Sequence, residues 1–594
     1  MDIFSVTLVC SILAFVAIGN YAGRSVKQLD DYFVAGRRAP TMFILGTLVA
    51  SVFSSTIFLG EAGFTYAGQM GPYLLFPGIA VTGYVYGALL FGRYLRRSRA
   101  PTVAEYFGQR FDSRRVQQAA GTIIILALGA YLLVVTQGAA LLLQDLIGVN
   151  YTTGLIIAWL SYTVFTMYSG AQGVVLTDTL MFLLFTAATL AFGVYVVSDL
   201  GGVTAAVEDM AKLNAKPGIA AWHGVVGDDT EWSSPWDYLV WAVVIDLAWS
   251  VVYAVSPWQS SRHLMARNEH VVIRSAILTC LAVIVLQIFI YGVAGLINLY
   301  NPDISPVETV MIWAARSVVP EVLGALLLAG IMAAALSSAS TFLSLVGFSA
   351  SNDITPSKTP LSIPKTRLII SGVSLIALVC AFFFPPNIFW LMLFIGTVFA
   401  SSWGPVALMS VWSKRITEDA AFWGMITGFV FNVVPAAFEY AGALSFPHFF
   451  NPTIIGVLAS LMVITVLSKR GVVTETQADY LARLHRAPQS DCTPSAVRTT
   501  SLAAWTLVAY GLLMPVVMHF FYTRPYQRGA GQLIDGAVDW SRGEALLPLS
   551  SALLFVPLGL FAVLRVRRDY QARPVPALVQ QAVLSDGLEL DQSA

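Results

Sequence analysis

The sequence predicts an all-α polytopic membrane protein, and three observations carry that reading. Of 594 residues, 57% are hydrophobic and only 11% charged, whereas soluble domains carry about 25% charged residues. The mean hydropathy is +0.72. Apolar runs of about 20 residues, long enough to cross a bilayer as a helix, recur from end to end. A soluble globular protein, a disordered chain and a disulfide scaffold are excluded on this composition. The 34 basic and 34 acidic residues balance, so nothing points to a nucleic-acid partner. Cys10, Cys280, Cys380 and Cys492 show no metal spacing, and three of them fall in apolar runs where they pack rather than react.

Hydropathy places about fifteen spans, at 3–22, 41–68, 72–92, 117–146, 151–169, 174–199, 237–256, 275–298, 321–349, 368–385, 388–413, 420–443, 453–468, 501–522 and 546–564. The opening MDIFSVTLVC has no basic n-region and reads as the start of a retained helix. With the N-terminus outside, every Lys and Arg except Lys212, Lys216, Arg316, Arg524, Arg528 and Arg542 lies on the inner side. The positive-inside rule then gives an N-out, C-in orientation in the plasma membrane. The largest outer segments are 200–236 and 523–545. Trp232 and Trp236 in the first either cap a pore mouth or belong to the headgroup belt of aromatics. A polar inner linker (470–500) and a cytoplasmic tail (569–594) show no catalytic domain.

Function in such a chain is sought where polar groups enter hydrocarbon, because their burial costs free energy. In the second span, Ser51, Ser54, Ser55 and Thr56 stand mid-helix, followed by Gly60, Glu61 and Gly63. They form either a packing surface of small residues or a locally unwound helix with freed carbonyls. In the ninth span Ala334, Ser337, Ser338 and Thr341 share one helical face, bordered by Ser340 and Ser344. That face is either a small-residue seam with its hydroxyls bonded back to the helix or a site for a monovalent cation, which wants oxygen ligands. Asp178, Asp246 and Glu61 are intramembrane acids, and no Lys or Arg is expected mid-membrane to pair with them. An unpaired buried carboxylate is protonated, metal-bound or wet.

Taken in order, DDYFVAGRR, ASVFSSTIFLGEAG, TVAEYFGQRF, YSGAQGVVLTD and AAALSSASTFLS resemble the successive motifs of the sodium/solute symporter family. That family includes bacterial proline, pantothenate, sugar and sialic-acid transporters. The resemblance implies a LeuT-like fold of 5+5 inverted repeats, with one repeat in 40–199 and the other in 237–413, joined by the outer loop 200–236. Residues 1–39 (a helix and inner loop) and the helices of 414–568 are then peripheral. It implies residence in the bacterial inner membrane.

The resemblance also implies site residues. The main sodium site takes the carbonyls of Ala50, Phe53 and Ala334 and the hydroxyls of Ser337 and Ser338. A second sodium site takes Asp178, Ser340 and Thr341, with Ser337 shared, so one sodium ion is expected and a second is hypothesised. The solute is expected against Ser54, Thr56, Glu61, Gln137, Asp246, Trp249 and Trp403. Sialic-acid-type members carry an arginine on the third core helix. The fourth span here has none after Arg115, and Asp246 favours an amine-bearing or neutral solute.

The function expected is therefore sodium-coupled import of a small organic solute by alternating access, with the lipid bilayer as the other partner. Proton coupling on the same fold, through Asp178 or Asp246, is the first alternative. The paired hydroxyls of Ser337 and Ser338 argue against it, since a proton needs no such pair. A solute-sensing receptor is the second. An intramembrane enzyme is not expected: HExxH, GxSxG and paired Cys/His clusters are missing from the sequence. The sequence does not set the oligomeric state.

Overall fold

Apolar helices in this chain begin where a polar side chain can satisfy the free N–H groups of a first turn. Ser113, Asn150, Ser234, Asn268 and Asn451 each accept a backbone N–H three residues on. The computed structural model describes residues 2–228, 230–355, 361–384 and 388–570; the tail expected at 569–594 lies outside them from 571 onward. We number the helices α1 (Ile3–Gly23), α2 (Thr41–Val52), α3 (Thr56–Leu75), α4 (77–98), α5 (Arg114–Ile147), α6 (Tyr151–Asp199), α7 (Pro235–Val255), α8 (Pro257–Met265), α9 (Glu269–Leu296), α10 (Glu321–Phe348), α11 (Ile363–Phe383), α12 (Ile388–Ser402), α13 (Gly404–Trp412), α14 (Glu418–Tyr440), α15 (Pro452–Arg470), α16 (Pro494–Met518) and α17 (Ser550–Asp569).

Twelve of the described helices are long and apolar enough to span a membrane, or thirteen if the pair α2–α3, bent by 52°, counts as one span. The expected count of about fifteen is not reached, for two reasons. Residues 77–98 are helical, but Tyr84, Tyr86 and Arg93 dilute the hydropathy of α4. The expected spans 151–169 and 174–199 form one hydrogen-bonded helix, α6, interrupted at Gly170 (φ 55°, ψ −150°), and only 166–199 meets the criterion. That φ favours glycine, and the Tyr32 ring and carbonyl press against the same point.

Breaks recur where the two expected repeats begin. The first repeat opens on α2–α3, interrupted at Phe53; the second opens on α7–α8, interrupted at Ser256 (φ −57°, ψ 146°) before Pro257. The most extensive packing joins α6 to α10, and α1, α2 and α5 gather on the same helices. The pairs α14–α15 and α16–α17 form hairpins at the periphery. Buried α10 is the pivot: it has no exposed residue from Gly324 to Phe348 except Leu326.

The basic loops gather at one end. Arg97 makes a two-pronged ion pair with Glu269 (2.6 and 2.6 Å), Arg37 donates to the carbonyl of Arg99 (2.8 Å), and Arg115 bonds Glu418 (2.7 Å). At the other end Trp232 is buried among Phe64, Tyr238 and Trp241, whereas Trp236 is 71% exposed. The two tryptophans of the outer segment thus have different environments.

Close helix crossings depend on glycine. A Cβ at Gly83 on α4 would stand 2.0 Å from the Ser250 carbonyl of α7, while one at Gly129 on α5 would meet nothing within 4 Å. Gly83→Ala should therefore separate two helices and cost about 1–3 kcal/mol. Thermal unfolding of the detergent-purified protein should show a lowered midpoint for Gly83→Ala, with Gly129→Ala unchanged or raised.

Candidate functional site

The site grows from the failure of α2 to continue. Helix α2 ends at Val52, and Phe53 turns extended (φ −72°, ψ 114°). Ser54 then restarts the helix: its carbonyl accepts the N–H groups of Ile57 (3.2 Å) and Phe58 (3.3 Å), and its hydroxyl accepts that of Thr56 (3.1 Å). As a result the carbonyls of Ala50 and Phe53 accept no backbone N–H. Two unpaired carbonyls inside a protein are costly unless something else meets them.

What meets them is α10. Ser337 Oγ lies 3.1 Å from the Ala50 carbonyl, and Ser338 Oγ lies 3.4 Å from Ala50 O and 3.2 Å from Phe53 O. Ser337 Oγ also lies 2.7 Å from Asp178 Oδ1. Ala334 stands one turn before Ser338 on the same face, fully buried. All five residues, Ala50, Phe53, Ala334, Ser337 and Ser338, are at most 0% exposed. The two hydroxyls bring two protons to four oxygen contacts. A cluster with more acceptor oxygens than protons suits a cation that needs oxygen donors and no counter-hydrogen. Phe185 of α6 stacks on Phe53 at 5.5 Å and closes one flank.

Asp178 is not unpaired, which corrects the expectation from sequence. Its Oδ2 accepts Thr47 Oγ1 (2.5 Å) and faces Arg262 Nη2 at 3.4 Å, with Arg262 only 1% exposed. Hydropathy leaves Arg262 between the spans 237–256 and 275–298, on the inner side, because the residues around it are polar and basic. In the structure 257–265 is helix α8, every residue of it buried. Arg262 Nη2 also donates to Thr341 Oγ1. Of the second-site candidates, Asp178 and Thr341 therefore meet around a guanidinium. Ser340 donates to the Ser337 carbonyl of its own helix (2.8 Å). The one signal in the sequence was Ser256–Pro257, a proline at the first position of a helix.

The candidates for the solute divide into two groups. Ser54 and Thr56 hydroxyls bond each other at 2.5 Å at the break, and α5 crosses there through Gly138, where a Cβ would touch Ser55 Oγ. The neighbouring Gln137 donates Nε2 to Phe384 O (2.7 Å) and leaves Oε1 buried without a partner. Tyr291 donates to Glu61. Asp246 is partly exposed and makes no hydrogen bond or ion pair among the described residues. Trp249 packs against Gly396 and leaves its Nε1 unpartnered. Trp403, by contrast, sits between Phe107 (5.1 Å) and Phe399 (5.6 Å), beside the short helix Val103–Phe111. It makes no ring contact with Trp249 or Tyr291 and is separate from the group around Glu61. Aromatic clusters flank the break: Tyr131, Trp258 and Phe342 on one side, Phe64, Phe389 and Trp390 towards the other. Sequence reasoning singled out none of these flanking rings, because apolar aromatics look alike wherever they pack.

A profile of the sodium:solute symporter family matches residues 32–428, which takes in the break, Asp178, Arg262 and the serine pair. The chain belongs to the sodium:solute symporter family. It is a sodium-coupled transporter, not an enzyme. It is 25% identical over 511 residues to the sodium/proline symporter of Salmonella typhimurium, covering 82% of this chain and 97% of that one. The sodium/pantothenate symporter of Escherichia coli is 26% identical, with 78% and 96% covered. Among solved structures, a Na+-coupled sialic acid symporter in a substrate-bound outward-open state superposes with a TM-score of 0.67 at 20% identity, covering 80% of this chain and 99% of that one. Mhp1, a nucleobase-cation-symport-1 family transporter, gives 0.52 at 14% identity, with 77% and 99% covered. The fold is that of LeuT-like symporters.

Thr47 tests the electrostatics of the cluster without touching the break. Thr47→Val keeps the shape and removes a donor from Asp178. A buried acceptor losing its donor costs about 1–3 kcal/mol. The unfolding midpoint should fall accordingly, and Thr47→Ser should recover most of it.

Proposed function

We propose that this chain drives a small organic solute into a bacterial cell with sodium bound between α2 and α10, at the carbonyls of Ala50, Phe53 and Ala334 and the hydroxyls of Ser337 and Ser338. The observation that carries this reading is the facing of two orphan carbonyls by two hydroxyls in a fully buried shell. A proton-coupled site needs only one titratable group; here two carbonyls and two hydroxyls converge beside the Asp178 carboxylate. Sodium binding would tie α2, at its break, to α10. The repeats are taken as 40–199 and 237–413. With the basic loops at the cytoplasmic face of the inner membrane, the N-terminus lies outside.

The relatives carry proline, pantothenate and sialic acid by name, and the pocket is taken to lie where Ser54, Thr56, Glu61, Gln137, Asp246 and Trp249 approach the break. Two carboxylates and the free Oε1 of Gln137 make it rich in acceptors. That chemistry favours a solute with amine or hydroxyl donors. Trp403 is better placed to pack against Phe107 and Phe399 than to touch solute.

The mechanism follows from position. Sodium fixes α2 against α10, the solute docks on α3 beside it, and rocking of the helices opens the other face. Each sodium ion entering contributes about 2.3 kcal/mol per 100 mV of membrane potential. No covalent step is needed.

Two variants separate the ion from the solute in a proteoliposome uptake assay using proline, pantothenate and sialic acid as trial solutes. Ser338→Ala should raise half-saturating sodium at least about tenfold, the loss of about 1.4 kcal/mol for one ligand, while maximal uptake at high sodium persists. Asp246→Asn should leave the sodium requirement in place and cut uptake sharply at low solute. Unchanged uptake by Asp246→Asn would remove that residue from the pocket.

A further inference from the structure

We infer that Arg262 is the resident cation of the Asp178 cluster, so that a second sodium ion is excluded there and this chain binds one sodium rather than two. The inference rests on the sodium reading above and concerns only the number of ions. The residues that would hold a second ion are already engaged. Asp178 Oδ1 faces the Ser337 hydroxyl at 2.7 Å, and Oδ2 takes Thr47 at 2.5 Å and the guanidinium at 3.4 Å. Thr341 Oγ1 accepts from the same guanidinium nitrogen, and Ser340 is bonded to its own helix. A sodium ion on Asp178 would thus arrive beside a positive charge in a water-poor interior, where like charges repel strongly.

Arg262 has nowhere else to go. Asp178 is its one ion-pair partner among the described residues, and its Nε is buried with no partner of its own. Withdrawing it from Asp178 would strand a buried charge. Its backbone is also held: just after α8, Met265 O accepts the N–H of Ala39 (3.2 Å), Arg267 donates back to Ala39 O (3.0 Å), and Arg96 bonds the Ala266 carbonyl. Helix α8 is therefore fastened to the entry of α2. The arginine acts on the main site through Asp178. Asp178 accepts the Ser337 proton, which leaves the lone pairs of Ser337 free for a sodium ion that it shares with the Ala50 carbonyl. Arg262 is a positioning residue for Ser337, and a charge that replaces an ion.

Counting ions tests this directly. Radioactive sodium would be titrated onto the purified wild-type protein, Asp178→Asn, Arg262→Gln and the double variant Asp178→Asn/Arg262→Gln. The wild type should bind one sodium with unit slope, and no second up to about a hundredfold above half-saturation. Arg262→Gln, with Asp178 freed of its cation, should bind two, and the double variant should return to one. Two sodium ions on the wild type, with one lost in Asp178→Asn, would overturn the inference, as would a folded Arg262→Gln that binds only one. Should Arg262→Gln not fold, the wild-type count still decides, and the uncharged double variant should fold and bind one. No saturable sodium on the wild type would instead defeat the sodium reading itself.

Discussion

The break at Phe53 is the constraint on which the rest of the site depends. An unbroken helix would consume the carbonyls of Ala50 and Phe53 in its own ladder and leave Ser337 and Ser338 with nothing to face. In hydrocarbon, freed carbonyls persist only where protein or ion meets them. Hence α10 must be small and polar at that level and packed tightly elsewhere. It is: the hydroxyls stand on one face, and alanine, leucine and glycine fill the others, buried nearly throughout. The cost of interrupting one helix is offset by a site that joins two.

A second consequence concerns charge. Asp178, hydrogen-bonded to the main cluster through Ser337 (2.7 Å), brings a negative charge close to where the cation would sit, and Arg262 balances it. The cluster thus links four elements, α2 through Thr47, α6 through Asp178, α8 through Arg262 and α10 through Ser337 and Thr341. Because α8 is also fastened to Ala39 at the start of α2, a displacement of α2 against α10 cannot leave the Asp178–Arg262 pair untouched. Any movement of α2 against α10 therefore involves a hydrogen-bonded unit, not a single loose helix.

Much of this was legible in the sequence. Composition and hydropathy exposed the helical membrane class, because about 20 consecutive apolar residues have few other uses. The hydroxyls at 51–56 beside Gly60 and Gly63, and the face of Ala334, Ser337, Ser338 and Thr341, drew attention to the two segments that meet, since a helical face is a local property; packing surface or site stayed open until the helices were seen together. Arg262 was not legible. A hydropathy window scores it as loop, and its partner Asp178 is 84 residues away, so only tertiary packing reveals the pair. The span count differs for a related reason: α4 carries tyrosines and an arginine that lower its hydropathy, and neighbouring helices cover Tyr84 and Arg93. Trp403 looked like a pocket residue because nothing in its neighbours' sequence tells one buried aromatic cluster from another.

If the oxygens of Ala50, Phe53, Ala334, Ser337 and Ser338 hold sodium, that site exists only in the folded protein. Its sodium can be detected without any solute, by thermal unfolding of the purified wild type as sodium replaces potassium at constant ionic strength and pH. A ligand that binds the folded state alone must raise stability by linkage, about 2.7 kcal/mol at a hundredfold excess over its dissociation constant. With sodium held at these oxygens, the midpoint climbs with the logarithm of sodium above half-saturation. A midpoint indifferent to the exchange, but responsive to pH over the same range, would contradict it and leave the serine face as packing.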